Sequence, residues 1–302
     1  MNVSFSSLAL VNDPFDWAYD LEELGFTGWE VVSEGKQQLN DETLLKIKNI
    51  LETTNLKFTL HLPFSDLNLA SLNHPIWKET IKQMTMCLGR AADFIELAVV
   101  HPGHLSPLGM QVPELAWQAN IEGLRAICDA AADYGVTIGV ENMPNMKFIL
   151  GRMPGEILGM IESLERENVG LTLDVGHANT NGLLPDFLKE MDSVVHVHLH
   201  DNGGRTDEHL EVGKGTINWK EVAAGLRGYK GRMVVEARTI EEGTASLRVL
   251  DCEFEGAGRV VINDLGKRSE ASVVCSRVLS NGAEVCVFMR GVLFVCVLLC
   301  WL

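Results

Sequence analysis

The sequence predicts an α/β protein of the (β/α)8 barrel class carrying an atypical C-terminal tail. Three observations lead there. Strand-like and helix-like segments alternate eight times within the first 250 residues. The Gly-rich nucleotide fingerprint expected after strand one of a doubly wound open sheet, the runner-up architecture, is absent. His, Asp and Glu recur at the ends of the strand-like segments, where a barrel of this kind gathers its functional loops.

The elements follow in order. Residues 2–6 read as the first strand and 14–24 as a helix, with Gly25 as its C-cap. Residues 28–32 are a strand, and 41–53 a helix capped by Asn40 or Asp41. A strand over 57–61 precedes a helix over 75–92 that begins on Pro75. The next strand lies within 94–101, and a long helix over 113–134 stops at Gly135. The second half continues with strands at 136–141, 169–174, 194–200 and 232–236. Helices at 154–166, 184–191 and 219–226 lie between them, and a last one begins near Ile240.

After residue 250 this rhythm ends, which divides the chain into a barrel over 1–250 and a tail over 251–302. Residues 251–280 carry no helical stripe. Residues 285–302 (VCVFMRGVLFVCVLLCWL) are almost wholly apolar around Arg290. The 12 residues after Arg290 fall short of the roughly 20 needed to span a bilayer, and no membrane association is expected. A strand pair, a weak membrane tail and sequence foreign to the barrel compete as readings. Foreign or frame-shifted sequence accounts best for the shift in cysteine use. Only Cys87 and Cys128 precede residue 250, whereas Cys252, Cys275, Cys286, Cys296 and Cys300 follow it. No C-x-x-C pair occurs, so neither zinc-finger nor thioredoxin chemistry is suggested.

The bulk composition narrows the function classes. With 46% hydrophobic and 22% charged residues, the 302-residue chain suits one large globular core. A formal charge of -16 without a long Lys/Arg cluster argues against a nucleic-acid surface. The N-terminal MNVSFSSLAL has no basic n-region and no small-residue cleavage site, so the expected location is cytoplasmic.

The chemistry concentrates at strand ends. The third strand ends in His61, the fourth in His101, the fifth in Glu141 and the sixth in Asp174, with His177 three residues on. Around the seventh, His196, His198 and His200 share one face of the strand, and Asp207 and His209 follow in a loop. The eighth ends in Glu236. Each has a bland alternative. His61 and His101 also suit strand caps before Pro-containing turns, and Asp174 suits local turn bonding. His196, deepest on its strand, reads as a hydrogen-bonded core histidine. His104 reads as a loop residue and His74 as a helix start. Buried Glu141 and Glu236 are costly unless paired or metal-bound. Imidazoles and carboxylates without cysteine suit Zn²⁺, Mn²⁺ or Co²⁺ better than Mg²⁺. Asn142, Asn145 and Asn179 are candidate substrate contacts.

The ordered motifs HLPFSDLNLAS, VVHPG, VEN, LTLDVGHAN, HLHDN…DEHLEVGKGTINW and VVEA resemble the divalent-metal TIM barrels. These comprise the xylose isomerase-like sugar isomerases and epimerases and the endonuclease IV branch of AP endonucleases. The resemblance spans residues 1–250. In the endonuclease IV pattern it implies nine ligands for three zinc ions: His61, His101, Glu141, Asp174, His177, His198, Asp207, His209 and Glu236. In the isomerases it implies one metal on Glu141, Asp174, the strand-seven histidine and Glu236. His198 is the preferred histidine and His200 the fallback. Departures from endonuclease IV fall where DNA would approach. Val175 and Gly176 stand between Asp174 and His177, Glu208 replaces a basic residue, and the loop before Asp207 is short. Phe64 keeps the expected aromatic.

Two functions are therefore expected, each with one to three divalent ions. The first is a metal-dependent isomerase or epimerase of a small sugar or sugar phosphate, with Glu141 and Glu236 as catalytic carboxylates and enediolate-like charge stabilised by the metal. The alternative is a zinc phosphodiesterase acting at abasic sites, with DNA as partner. A metal-binding barrel without catalysis is the third and weakest reading.

Overall fold

The computed structural model describes residues 1–254 and, within the tail, the strands Val273–Val278, Glu284–Phe288 and Cys296–Cys300. Strands β1 (Val3–Ser7), β2 (Gly28–Val32), β3 (Lys57–His61), β4 (Ile95–Val100), β5 (Thr137–Glu141), β6 (Val169–Asp174), β7 (Val194–Leu199) and β8 (Met233–Ala237) form a closed barrel in chain order. Every pairing is parallel, and β1 closes on β8 with Val3 opposite Met233. This is the expected (β/α)8 barrel.

The outer helices begin as the sequence signals. Helix α1 (Asp41–Thr53) starts with a capping box between Asn40 and Thr43. Helices α2 (His74–Ala91), α3 (Pro113–Ala132) and α4 (Pro154–Leu164) each place a proline in the first turn, where a missing N–H costs nothing. Two short helices, α5 (Val175–Thr180) and α6 (Leu184–Phe187), follow β6. Helices α7 (Trp219–Gly225) and α8 (Ile240–Phe254) complete the ring.

Two segments depart from expectation. The helix expected over 14–24 is instead a pair of 3₁₀ turns, Pro14–Asp16 and Ala18–Asp20. Phe15 and Trp17 both pack on Trp29, with ring centroids 5.9 and 5.3 Å away. An α-helix cannot turn residues i and i+2 to the same side, so burial of the two aromatics overrides helical propensity. After β6, a helix starts at Val175 where a turn was expected, because the Asp174 carboxylate caps it by accepting from His177 N–H at 2.6 Å.

The strand period of two sorts side chains between layers. Trp29, Phe58, Leu60, Val197 and Leu199 belong to the apolar core. The alternate residues Glu30, Thr59, His61, His196 and His198 are also buried but contact one another across the strands. The barrel interior is thus lined with polar groups that require partners.

Met1–Phe254 forms one compact unit. The three tail strands form a separate antiparallel sheet with the 284–288 strand in the middle. The remainder of the apolar run, with Arg290, lies outside the described residues. Among the described residues no helix is long and apolar enough to cross a membrane.

Candidate metal centre

The barrel brings all nine expected ligand residues to the C-terminal rim of its strands. His61, Glu141 and Asp174 are the last residues of β3, β5 and β6, and His101 directly follows β4. His198 lies near the end of β7, and Glu236 near the end of β8. His177 is held in the first part of α5, and Asp207 and His209 lie on the loop after β7.

Three overlapping groups result. In the first, His61 Nε2 and His101 Nε2 lie 3.3 and 3.1 Å from Glu141 Oε2. In the second, His198 Nδ1 faces Glu141 Oε1 at 3.3 Å, Glu236 Oε1 at 3.4 Å and Asp174 Oδ2 at 3.8 Å. The third gathers His177, His200, Asp207 and His209. There the Asp207 carboxylate lies 3.2 Å from His177 Nε2 and 2.9 Å from His209 Nε2. His200 Nε2 lies 3.1 Å from Asp174 Oδ1 and 4.0 Å from Glu236 Oε2. Glu141, Asp174 and Glu236 each belong to more than one of these contacts.

The donor set fits divalent metal. His198 Nδ1, Asp207 Oδ1 and His209 Nδ1 are buried and make no hydrogen bond within the protein, which is costly for polar atoms without a further partner. Nitrogen and carboxylate oxygen in this mixture are the ligands of Zn²⁺, Mn²⁺ and Co²⁺. The other ring nitrogen of His177 donates to the Asn142 carbonyl at 2.8 Å, so Nε2 is the nitrogen turned toward Asp207 and the cluster.

Electrostatics separate the carboxylates. Burial favours the neutral acid at Glu141, but His198 and His101 outweigh it and hold the carboxyl well below the ordinary range. Burial also dominates at Glu236 and pushes it up to about 7, assisted by Asp174 and Glu141. Burial would lower His198, but Glu236, Glu30 and Glu141 hold it well above an ordinary imidazole. His177 is raised in the same way, chiefly by Asp174 against the effect of burial. Separation of two neighbouring carboxyls is the pattern of an acid–base pair.

His200 is a full member of the cluster. Its ring stacks on His209 with centroids 3.8 Å apart. A Cβ on Gly176 would lie 2.0 Å from the His200 ring, so the glycine at this position makes room for the histidine. His209 itself takes a left-handed backbone, φ 49°, at the end of its loop. Glu208 accepts from Gly203 N–H at 2.7 Å and so folds that loop back on itself. Phe64 lies over the His101 ring at 4.8 Å and walls the first group.

The remaining expectations are placed as follows. Asn142 bridges two strand ends, accepting from Asp174 N–H and donating to the Asp174 carbonyl. Asn179 donates to Asn202, and Asn145 N–H donates to Thr180, so both brace loops. His74 stacks on Trp77, and His104 bridges to Ile149. His196 is fully buried, with Nε2 2.8 Å from Glu30.

Sequence reasoning missed Glu30. Its carboxylate sits inside the barrel and touches Thr59, His196 and His198. The available signal was a lone charge in the middle of the apolar strand GWEVV, which demands buried partners.

Comparison with known proteins bears on the fold and the family. An uncharacterized protein of Methanocaldococcus jannaschii is 33% identical over 260 residues, covering 83% of this chain and 89% of its own. The fructoselysine 3-epimerase of Escherichia coli O157:H7 is 21% identical over 243 residues, covering 75% of this chain and 86% of its own. A crystal structure of a D-tagatose 3-epimerase-like protein superposes with a TM-score of 0.80 at 33% identity, covering 84% of this chain and 97% of that one. The family model described as xylose isomerase-like TIM barrel matches residues 18–251, and the chain belongs to that family.

Proposed function

We propose that this protein is a divalent-metal-dependent epimerase or isomerase of a small sugar or sugar phosphate. The observation that carries the reading is the convergence of Glu141, Asp174 and Glu236 on His198 Nδ1 within 3.3 to 3.8 Å. The 3-epimerase names of the relatives at 33% and 21% identity point to the same chemistry.

Glu141, Asp174, His198 and Glu236 would hold the ion, which supplies Lewis-acid polarisation to neighbouring substrate oxygens. The two glutamates come from separate strands, β5 and β8. One carboxylate removes the proton from the carbon beside the carbonyl, and the other returns a proton to that carbon or its neighbour. Phe64 lies against the His101 ring, and Glu208 folds the loop that carries Asp207 and His209.

The test is turnover in D₂O. Protein loaded with Mn²⁺, Co²⁺ or Zn²⁺ and mixed with ketoses and their phosphates is expected to incorporate one deuterium per epimerised product. Failure to exchange with every sugar, together with cleavage of an abasic-site duplex, would replace this reading. The phosphodiesterase reading has one observation in its favour: the full set of nine ligands implied by endonuclease IV stands at this rim. Against it stands an overall charge of -16.

A further inference from the structure

We propose that Glu30 is a positioning residue for the metal centre, holding the proton of His198 on Nε2 and so presenting the Nδ1 lone pair to the ion. The inference rests on the metal reading above, though not on the identity of the substrate.

Glu30 is wholly buried in the middle of β2, two residues below the strand end at the open rim. Such a carboxylate is retained only with partners. Its Oε2 accepts from Thr59 Oγ1 at 2.9 Å and lies 2.8 Å from His196 Nε2. Its Oε1 lies 2.9 Å from His198 Nε2. That last contact is bent away from the line of a good hydrogen bond. Its distance still decides the proton. At this distance the negative charge on Oε1 favours hydrogen on Nε2 over a bare lone pair. Nε2 therefore carries hydrogen.

The consequence lies at the other end of the ring. Nδ1 is the nitrogen that faces Glu141, Glu236 and Asp174. A metal-binding imidazole must offer a lone pair there, and a carboxylate on the far nitrogen both fixes this form and raises ligand basicity. Thr59 from the adjacent strand β3 and His196 from β7 across the barrel both hold Glu30, so its own rotamer is constrained. A purely structural ion pair in the core would tie Glu30 to stability alone. The proposed role also ties it to metal affinity and to the His198 proton.

The test uses full-length Glu30→Gln and the wild-type chain, with zinc as the probe. Glutamine keeps the shape but offers one acceptor and one N–H₂, so one imidazole must meet a donor. Zinc affinity by chelator competition is expected to fall 10- to 100-fold, with the circular-dichroism spectrum unchanged. On zinc-loaded wild-type protein, histidine-¹⁵N NMR is expected to show His198 protonated at Nε2 and coordinated through Nδ1. This second measurement decides the matter if the variant does not fold. Zinc affinity within twofold of wild type in a folded variant overturns the proposal, as does coordination through Nε2. Failure of wild type itself to bind zinc removes the metal reading, and the role of Glu30 with it.

Discussion

At Asp174 one side chain performs two tasks that the sequence shows only separately. Its carboxylate caps α5 through His177 N–H and also faces His198 and His200 inside the site. The cap fixes the backbone that carries His177, so ligand geometry and helix start are coupled. Glu236 has the opposite character, a buried carboxyl driven up by its surroundings. Glu236→Gln is expected to lower kcat by at least about 10²-fold, the scale of a lost acid–base group, with folding intact. Near-full activity would remove Glu236 from the chemistry. Gly176→Ala tests the packing that admits His200. A Cβ 2.0 Å from that ring forces it aside, and a destabilisation of about 1–3 kcal/mol is expected in denaturant titration, along with weaker metal binding.

At the scale of elements, the strands and their end residues were legible because period-two patterning and Pro or Gly punctuation are local signals. The third, fifth and sixth strands end on His61, Glu141 and Asp174, as the sequence reading has them. The 3₁₀ turns at 14–20 were not legible, since the cause is long-range packing of Phe15 and Trp17 on Trp29. Helix α5 was hidden because a six-residue helix carries too little periodicity and Asp174 had been read as a ligand, not as a cap. Glu30 was missed because its partners lie 29 to 168 residues away in the chain. The loop after β7 is organised by Asp201, whose carboxylate accepts from Asn202, Gly213 and Ile217 N–H and from Trp219 Nε1. Asp201→Ala strands these buried donors. It is expected to cost about 2–4 kcal/mol and to weaken metal binding through Asp207 and His209, measurable by calorimetry with and without zinc.

For the whole molecule, the clustered charges make stability depend on pH and metal together. His177 and His198 have folded pKa values above their unfolded ones. Their stabilisation is fully present below about 6.5 and is lost as pH rises through the folded values. Glu236, raised from its ordinary value to about 7, acts in the same direction and loses its contribution between about 4.5 and 7. Glu30, Glu141 and Asp207 are lowered, so their contributions vanish only in acid. The metal-free protein is therefore expected to lose Tm as pH is raised from 6 to 9, and metal is expected to restore it by replacing the protons. A pH-independent Tm in the metal-free state would contradict this electrostatic account. The central claim is that the rim of the barrel holds catalytic metal for sugar chemistry. The most direct measurement is elemental analysis of the purified chain joined to a deuterium-exchange assay before and after chelation. The account predicts bound divalent ion and sugar-dependent incorporation of solvent deuterium that chelator removes and metal restores. A metal-free protein that exchanges at full rate, or a metal-loaded one that exchanges no sugar and cuts abasic DNA, would contradict it.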